Sequence, residues 1–535
     1  MRKRLGIYLL AGALCIAACA GCSKEEEKKE ETVSQQVYDN ENSDKTAQNI
    51  LKTMLGENIS ADGILYDVKF PLMVDGQAVR FYVEESDAMS GDGKLTGNNK
   101  DTENVIITAK TKEKEYKYCL KVVSGGEREL ALMEQAAQQL LHNTDNVRGN
   151  LDLVEKTGDA DEITVEWKSD NPELITDKAT GKQGEIPAGV VNRREKDESV
   201  TLHAVLTKGE RRLEKDFQLT VKAKPQKKTY DAYVYTYFRG NIYGNGESQH
   251  IHMAVSKDGF FWDALNNNEP ILKATEGTKG VRDSFLIRSP HGDHFYLIGT
   301  DLDANGGDWG KYGNEGSKNI CVWESDDLVN WSQERQIEIA PKGAGCMWAP
   351  ETFYDDTTGE YVVYWASGIV GGNGKKIYYA KTRDFYHFSK PQIYKDVDGA
   401  ITYIDTTMTQ YDGTYYRFTK NENELSILME TSDKVLGDFS LVKTQIASEF
   451  GVEGPAIYQI NGQEKWCLYM DGYADKNAGV GYFPLIADSL EDLKTANFRR
   501  LNADEYQLPQ GAKHGSFVPI TKEEYEALVA QYNSK

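Results

Sequence analysis

The feature of this sequence that most constrains its fold is a fivefold repeat in its C-terminal part. From about residue 229 onward, an aromatic strand-like run recurs, and a second strand with a characteristic ending follows it. The aromatic runs are YVYTYF (233–238), FYLIGTDL (295–302), YVVYWAS (361–367), YYRFTK (415–420) and WCLYMDGY (466–473). The second strands are HMAVSKDGFFW (252–262), CVWESDDLVNW (321–331), YYAKTRDFYHF (378–388), ILMETSDKVLGDF (427–439) and FPLIADSLEDL (483–493). Five pairs at a spacing of roughly 45 to 70 residues predict a five-bladed β-propeller.

Each blade needs an inner strand, and a third set of strand-like segments supplies it. These segments are VRDSFLIR (281–288), WAPETFYD (348–355), YIDTTMTQ (403–410), VEGPAIYQ (452–459) and KHGSFVPI (513–520). The innermost strands of a propeller surround a central channel, so we expect these segments there. The last segment should close the ring beside the first strand pair, near residue 233. The predicted propeller spans residues 229–527.

The region before the propeller predicts two smaller β modules, at 46–124 and 125–225. Each begins with a short helical pattern and ends with two strands joined by a charged turn, as in ITAKTKEKEYKYCLKVV and LHAVLTKGERRLEKDFQLTVKAK. Such pairs favour small antiparallel sandwiches, and the modules resemble atrophied bacterial Ig-like domains. We interpret them as spacers, with a glycan-contacting role as the alternative. The predicted fold class is mainly β, a five-bladed propeller preceded by two Ig-like β-sandwich modules.

The N-terminus predicts export. Residues 1–21, MRKRLGIYLLAGALCIAACAG, combine a basic start with an apolar run too short for a stable membrane span. Their end resembles the lipidation site of bacterial lipoproteins, and Cys22 is favoured over Cys19 because the polar segment begins directly after it. Residues 22–45 are dense in charge and predict a solvated tether. We expect a lipid-anchored protein at the cell surface; a plain secretory signal is the alternative.

The charge of the chain excludes some classes of partner. The formal net charge is -22 at pH 7, and such a surface repels nucleic acid and anionic lipid. We expect no nucleic-acid partner, membrane contact through the lipid anchor only, and a monomer. The cysteines beyond the signal lack metal-binding spacing and are predicted to be isolated core residues, with a disulfide among the last three left open. They are Cys119, Cys321, Cys346 and Cys467.

Four of the five inner segments carry an acidic residue near their start: Asp283, Glu351, Asp405 and Glu453. Because these starts lie on one face of a propeller, the side chains should converge on one cavity. Clustered carboxylates repel one another, which raises at least one pKa and costs stability. Cleavage of a glycosidic bond uses such a set, since it needs a protonated acid for the departing oxygen and an ionised base for water.

The motifs GVRDSFLI, CMWAPETFYD, ITYIDTTM and GVEGPAIY, in this order, resemble the blade motifs of family 43 glycoside hydrolases. The resemblance implies an inverting mechanism in which Asp283 is the general base and Glu453 the general acid, while Asp405 holds the acid in position and tunes its pKa. Inversion requires the acid and base carboxyls to stand about 6.5–9.5 Å apart. The family usually has proline after the base, where this chain has Ser284. Because proline there fixes the backbone, we expect the difference to lower activity only slightly.

Each of these assignments has a structural alternative. Asp283 could pair with Arg282 or cap a turn, and Asp405 could organise a turn through its side chain. Glu453, which precedes Gly-Pro, could be an exposed turn residue. Glu351 is open between a substrate contact and a structural partner of its blade.

Further residues are candidates for substrate binding. Arg417 is predicted to bind a sugar hydroxyl or Asp405, or else to form a salt bridge within its blade. His514 is assigned to substrate or to a central ion or water cluster; a structural calcium ion is left open, no cofactor is required, and no metal ligand is assigned. Aromatic rings suit the apolar faces of sugars, with burial in the blades as the alternative. The aromatic candidates are Trp348, Tyr403, Phe238 and Trp309.

The resemblance implies action on arabinose- or xylose-containing plant polysaccharides or oligosaccharides. We predict an α-L-arabinofuranosidase, with an endo-arabinanase or a β-xylosidase as the nearest alternatives. A non-catalytic glycan-binding protein would be expected to lack one of the three carboxylates, and an adhesin would not need acids in a channel. Fructan-cleaving relatives typically carry a Trp-x-Asn-Asp-Pro run, which is absent from this sequence.

Overall fold

The computed structural model describes residues 38–158, 162–182, 184–240, 247–396, 401–447, 451–473 and 481–533. The predicted signal, both candidate lipidation cysteines and most of the predicted tether lie outside these ranges. Among the helices within them, none is long and apolar enough to cross a membrane. The chain divides into two compact units, the first ending at Glu129 and the second beginning at Leu130.

Helices are few compared with strands. The helices are α1 (Lys45–Leu55), α2 (Gly125–Gln138), α3 (Trp309–Asn314), α4 (Leu490–Lys494) and α5 (Lys522–Asn533), with 3-10 turns at Asp39–Glu41 and Asn266–Asn268. The strands before residue 230 are β1 (Met73–Val74), β2 (Gln77–Ala78), β3 (Arg80–Val83), β4 (Glu103–Lys110), β5 (Glu115–Val122), β6 (Lys156–Thr157), β7 (Ile163–Ser169), β8 (Glu198–Lys208) and β9 (Arg211–Val221).

The strands after residue 230 are β10 (Ala232–Arg239), β11 (His252–Ser256), β12 (Asp263–Ala264), β13 (Val281–Arg288), β14 (Phe295–Asp301), β15 (Asn319–Ser325), β16 (Arg335–Glu338), β17 (Trp348–Asp355), β18 (Glu360–Gly368), β19 (Lys375–Thr382), β20 (Gln392–Lys395), β21 (Tyr403–Tyr411), β22 (Thr414–Asn421), β23 (Ser426–Ser432), β24 (Ser440–Ile446), β25 (Val452–Gln459), β26 (Trp466–Gly472), β27 (Gly481–Ala487), β28 (Arg499–Arg500) and β29 (Ala512–Ile520). The prediction of a mainly β chain is confirmed.

In the first unit, α1 packs against a three-stranded sheet of β3, β4 and β5. The folded part begins before the predicted end of the tether. Asp39 accepts a 2.7 Å hydrogen bond from the backbone N–H of Lys117, and Asn40 bonds the backbone of Cys119 in both directions, at 2.6 and 2.8 Å. Residues 38–45, predicted as tether, therefore belong to this unit, because their polar side chains bond a strand edge that charge density alone does not reveal.

The second unit begins with a four-stranded sheet of β6 to β9, whose core includes Met133 of α2. Buried ion pairs attach this sheet to the strands that follow. The Arg193 guanidinium donates two hydrogen bonds to Asp293, at 2.8 and 2.6 Å, and Arg148 donates a third, at 2.7 Å. Arg383 donates to the carbonyl of Ala188 at 2.6 Å. The region thus packs tightly on the sheets, which differs from the spacer interpretation.

Five four-stranded antiparallel sheets make up the rest of this unit: β12-β11-β10-β29, β13 to β16, β17 to β20, β21 to β24 and β25 to β28. The C-terminal β29 pairs with β10, as the sequence predicts. The inner strands contact one another in ring order, β13 with β17, β17 with β21, β21 with β25, β25 with β29 and β29 with β13. They match the predicted inner segments to within one residue at each end.

Apolar and aromatic side chains fill the spaces between neighbouring sheets. One such cluster stacks Tyr235 on Phe517, with ring centroids 4.2 Å apart. The four cysteines at positions 119, 321, 346 and 467 are free. The last three are buried core residues, so the alternative of a disulfide among them is wrong.

Candidate active site

A β-bulge near the start of four inner strands shapes the site. The ladder is interrupted after Arg282, Trp348, Ile404 and Glu453. A residue in each bulge has a left-handed backbone conformation: Asp283 (φ 50°), Ala349 (φ 46°), Asp405 (φ 45°) and Gly454 (φ 55°). Such conformations are costly for residues other than glycine and cluster at functional sites. In two of these strands the bulge takes the acidic residue itself, Asp283 or Asp405, out of the strand ladder.

A cavity of about 740 Å³ lies at these strand starts. Its described lining residues are Arg282, Asp283, Leu302, Trp309, Trp348, Lys375, Thr402, Ile404, Asp405, Glu422, Asn423, Glu453 and Tyr473. Three of the predicted acids are therefore brought together. The same cavity is lined by Asp283, Asp405 and Glu453, which come from three different sheets.

Asp283 is held as a carboxylate by two partners. One oxygen accepts a 3.0 Å hydrogen bond from the Thr300 hydroxyl, and the other lies 3.2 Å from Nδ1 of His514. Burial alone would raise the pKa of Asp283, but the hydrogen bond and charge of His514 outweigh it, so the pKa lies below its usual value. Asp283 is thus ionised at neutral pH and can accept a proton from a water molecule as that water attacks the substrate.

His514 lies beneath the cavity between two acids. Its Nε2 is 3.7 Å from a carboxylate oxygen of Glu351. Burial would lower the pKa of His514, but the hydrogen bond and charge of Asp283, the nearby Glu351 and the charge of Asp405 raise it well above its usual value. A β-carbon at position 454 would lie 2.8 Å from Cγ of His514, so only glycine leaves room for the ring. His514 is therefore a protonated imidazolium, and its positive charge offsets the negative charge of the acids above it.

Glu351 is also buried, with 2% exposure. The hydroxyl of Tyr364 donates to it at 3.4 Å, and burial raises its pKa to about 7 even though His514 opposes the shift. Neither Glu351 nor His514 is among the described residues that line the cavity. Instead of the predicted contacts with substrate, His514 contacts Asp283 from beneath the cavity, and Glu351 contacts His514.

Asp405 and Glu453 are linked through the backbone. Asp405 accepts a 2.9 Å hydrogen bond from the N–H of Gly454, the residue after Glu453. Burial, followed by the charge of Asp405, raises the pKa of Glu453 to about 8. Burial also raises the pKa of Asp405, to about 6. At neutral pH Glu453 therefore keeps a proton that it can give away, whereas Asp283 does not.

The lining also combines aromatic rings with cations. The rings of Trp309 and Trp348 meet edge-on, with centroids 6.1 Å apart, and the Lys375 ammonium lies 4.4 Å from the Trp348 ring centre. The guanidinium of Arg282 stacks 4.1 Å over Phe238. Trp348 and Trp309 thus line the cavity, where their stacking on a sugar stays a prediction, and Phe238 packs against the lining residue Arg282.

Two predicted contacts are not at the cavity. Arg417 forms a buried ion pair of 2.8 Å with Glu430 and lies 3.8 Å from the Phe439 ring centre. The alternative of a salt bridge within the sheet therefore holds, and the predicted substrate contact of Arg417 is wrong. Tyr403 is buried beside Lys395, 4.5 Å from its ammonium.

The residues that sequence reasoning missed include several charged or phenolic ones that line or adjoin the cavity: Glu422, Tyr473, Lys375 and the buried Lys420. Lys420 ends the YYRFTK run, Glu422 lies two positions after it, and Tyr473 ends WCLYMDGY. The signal that could have found them is a charged residue at the end of an aromatic strand, because the strands approach the channel there.

Residues 228–526 match the model of a family related to glycoside hydrolase family 43 and described as "Probable glycosyl hydrolase domain". The chain belongs to this family of glycosyl hydrolase domains. Residues 131–224 match a second model, described as "Atrophied bacterial Ig domain", in agreement with the resemblance predicted for the second module.

Individual relatives of this glycosyl hydrolase domain were also found. An α-L-arabinofuranosidase of Bifidobacterium longum subsp. longum is 33% identical over 306 residues, which cover 51% of this chain and 28% of the relative. The chain thus spans little more than a quarter of the length of that curated relative.

Solved structures give weak likenesses. An endo-1,4-β-xylanase from Bacteroides thetaiotaomicron has a TM-score of 0.38 at 17% identity, covering 51% of this chain and 94% of its own. The catalytic domain of a family 62 α-L-arabinofuranosidase from Coprinopsis cinerea has a TM-score of 0.33 at 12% identity, covering 44% and 73%.

Proposed function

We propose that this protein is a glycoside hydrolase that removes α-L-arabinofuranosyl units from plant polysaccharides or oligosaccharides by an inverting acid/base mechanism. The observation that carries the proposal is one cavity lined by two carboxyl groups whose pKa values are displaced in opposite directions, downward for Asp283 and to about 8 for Glu453. Such a pair supplies both a base and an acid at the same pH.

In this mechanism Glu453 is the general acid. Its proton moves to the glycosidic oxygen as the bond to the anomeric carbon breaks. Burial and the neighbouring charge of Asp405 favour the protonated form of Glu453. Because its proton leaves with the departing oxygen, Glu453 must take up a proton from solvent, and Asp283 must release the one it took from water, before the next cycle.

Asp283 is the general base. A water on the opposite side of the sugar attacks the anomeric carbon while Asp283 takes its proton. The Thr300 hydroxyl and His514 fix the orientation of the carboxylate, at 3.0 and 3.2 Å. The separation of about 6.5–9.5 Å between acid and base that inversion requires stays a prediction.

Asp405 positions the acid. Its bond to the Gly454 N–H holds the backbone that carries Glu453, and its charge raises the pKa of Glu453. This supports the role that the family resemblance implies, a residue that orients and tunes without itself exchanging a proton with substrate.

The sugar is inferred from similarity. The Bifidobacterium relative is named an α-L-arabinofuranosidase, and the walls with Trp348 and Trp309 suit a sugar ring. An endo-arabinanase or a β-xylosidase of the same family is the alternative.

The proposal also covers the architecture and location of the protein. The catalytic domain is a five-bladed propeller, and the preceding modules have Ig-like folds. The protein is exported, carries a lipid anchor at Cys22 and is a monomer. It requires no cofactor, and calcium is only a structural option.

The acid role can be tested with Glu453→Gln and a matched control, Glu424→Gln, at an exposed carboxylate near the same cavity. Purified ectodomains are assayed on arabinan, arabinoxylan, xylan and two aryl α-L-arabinofuranosides, one with a poor and one with an activated leaving group. Glu453→Gln should lower kcat/KM on unactivated substrates by ~10²- to 10⁴-fold, while the activated glycoside, which needs no protonation, keeps most of its rate.

Activity of Glu453→Gln equal to wild type on unactivated substrates, or no hydrolysis by wild type across the panel, would count against the catalytic assignment. Proton NMR of the first product tests the stereochemistry separately, since release of the sugar with retained configuration contradicts the roles given to Asp283 and Glu453.

A further inference from the structure

Lys420 is a fully buried lysine next to the proposed acid. It lies on β22, opposite Ile404, with 0% exposure. Its ammonium donates to the backbone carbonyl of Val452, the residue before Glu453, and to the hydroxyl oxygen of Tyr473 at 3.2 Å. A buried ammonium is costly unless its partners are well placed. Lys420 therefore ties the sheet of β21 to β24 to the start of β25, the strand that carries the acid.

Tyr473 continues this link to the cavity. It follows β26 directly, and its backbone N–H donates to Gly451 at 3.1 Å. Its ring lies 4.9 Å below the Lys420 ammonium, and the side chain lines the cavity. Burial raises the pKa of Tyr473, so the phenol keeps its proton. Since its oxygen accepts from Lys420, the O–H proton remains for an acceptor elsewhere.

The charges around Glu453 show why such a donor matters. When Glu453 gives up its proton, a second carboxylate forms beside Asp405, with Asp471 and Glu422 nearby; these charges raise the pKa of Glu453, and Lys420 is the cation that opposes them. The other nearby lysine, Lys513, is engaged with both oxygens of Asp471, at 2.9 Å. Among the described residues, Glu453 itself has no side-chain hydrogen-bond partner.

We propose that Lys420 and Tyr473 form a positioning pair for the general acid. Lys420 fixes the start of β25, and the hydroxyl of Tyr473, polarised by the Lys420 ammonium, stabilises the carboxylate that Glu453 becomes. The only protons that move are the one from Glu453 to the departing oxygen and the one from water to Asp283; Lys420 and Tyr473 keep theirs. The inference rests on the proposed function and extends it to two residues that the family motifs do not include.

The test uses Tyr473→Phe, which removes only the hydroxyl and lies on the cavity wall. On substrates with a poor leaving group, kcat should fall by ~10- to 100-fold, the value of a hydrogen bond to a charged group, whereas an activated aryl arabinofuranoside should lose less than about 3-fold, because its departure needs little proton transfer. Tyr379→Phe is the matched control, since its hydroxyl bonds Gln392 on an outer strand, at 3.0 Å.

Lys420→Met supplies a second readout. Loss of the cation should move the alkaline limb of kcat/KM to higher pH, because Lys420 holds the pKa of Glu453 down; Lys420→Met combined with Tyr473→Phe should cost less than the product of the single effects, since the two act through one link. If Lys420→Met does not fold, Tyr473→Phe still decides the matter.

Two results would overturn the inference. Equal losses on activated and unactivated substrates in Tyr473→Phe, with wild type active, would make Tyr473 merely structural and leave the proposed function intact. If wild type hydrolyses none of the glycosides, the proposed function fails, and the role of the pair fails with it.

Discussion

Two groups of buried acids in the unit that begins at Leu130 are balanced in opposite ways. Where the region 131–224 packs on the sheets, Asp293 faces two arginines, Arg193 and Arg148, at 2.6 and 2.7 Å. These partners outweigh burial and lower the pKa of Asp293. In the cavity, by contrast, Asp405 accepts a backbone N–H, and the pKa of Glu453 rises to about 8.

The difference separates an acid that holds the fold from the acid that donates a proton. A buried carboxylate with enough cations stays ionised at every physiological pH, and breaking such a pair is costly; Asp283, the proposed base, is kept ionised beside His514 in the same way. A general acid such as Glu453 instead needs a pKa near the working pH, which requires that cations be withheld or kept at a distance. Lys420 is kept at a distance in this way, because its ammonium bonds the Val452 carbonyl and the Tyr473 hydroxyl and not the carboxyl group of Glu453.

The largest expected effect comes from removing one of the two arginines that balance the buried charge of Asp293. Arg193→Met leaves Asp293 buried with one arginine instead of two, so the free energy of unfolding should fall by about 3–5 kcal/mol. Urea denaturation of the full ectodomain measures this. The activity of the molecules that remain folded should stay within about 2-fold of wild type, because the substitution lies in the structural group of acids.

Arg194→Met is the matched control for Arg193→Met. Arg194 is the next residue, half exposed, and its nearest carboxylates are 3.8 and 3.9 Å away. Its loss should change stability by less than about 1 kcal/mol. Equal destabilisation by the two variants would show that the buried pair with Asp293 has no special role.

A smaller effect concerns Asp152, which lies where the region 131–224 packs on the sheets but, unlike Asp293, has a raised pKa. Asp152 accepts the backbone N–H of Arg383 at 2.7 Å, and burial, followed by the charge of Asp384, raises its pKa to about 8. The folded state therefore binds a proton that the unfolded state releases above its ordinary pKa of about 4, so stability falls as pH rises from about 4 to 8.

Asp152→Asn should flatten that slope, since the amide oxygen can accept the same bond without ionising. Unfolding free energies at pH 5 and pH 8 should differ less in the variant than in wild type, by about 1 kcal/mol or more. Asp145→Asn, at an exposed site in the same region, should leave the slope unchanged. A wild-type slope that survives in Asp152→Asn would assign the pH dependence to other groups.

The cavity was largely predictable because its parts follow a repeat. The inner strands could be located from their place in each blade, and equivalent positions in a repeat meet at one end of a ring. That argument places Asp283, Asp405 and Glu453 at the cavity, but it also placed Glu351 there, which lies beneath it instead.

What escaped prediction depends on which face of a strand a residue occupies. Arg417 and Lys420 lie three positions apart on β22 and so point to opposite faces. The sequence run YYRFTK does not say which face meets the cavity, and the prediction chose Arg417 where Lys420 adjoins the acid. The contact of Arg193 with Asp293 joins residues 100 positions apart with no repeat to relate them.

The smallest expected effect concerns Ser284, which stands where the family resemblance expects proline. In two other inner strands a left-handed residue is followed by proline within the same kind of bulge, Ala349 before Pro350 and Gly454 before Pro455. Asp283 is left-handed without such a proline, and the buried Ser284 hydroxyl has no hydrogen-bond partner among the described residues. The ladder around Asp283 and the bonds from Thr300 and His514 therefore hold the left-handed conformation without a proline after it.

Ser284→Pro should accordingly fold, keep kcat/KM within about 2-fold, and gain roughly 0.4–1 kcal/mol of stability, because proline restricts the unfolded chain and the equivalent bulges already hold Pro350 and Pro455 after a left-handed residue. Ser289→Pro, in a buried turn whose N–H donates to His294 at 2.8 Å, should instead destabilise the protein. Loss of activity in Ser284→Pro without loss of stability would mean that the backbone at Asp283 needs freedom during the reaction, and the cavity acids would then differ from the contact acids in mobility as well as in charge.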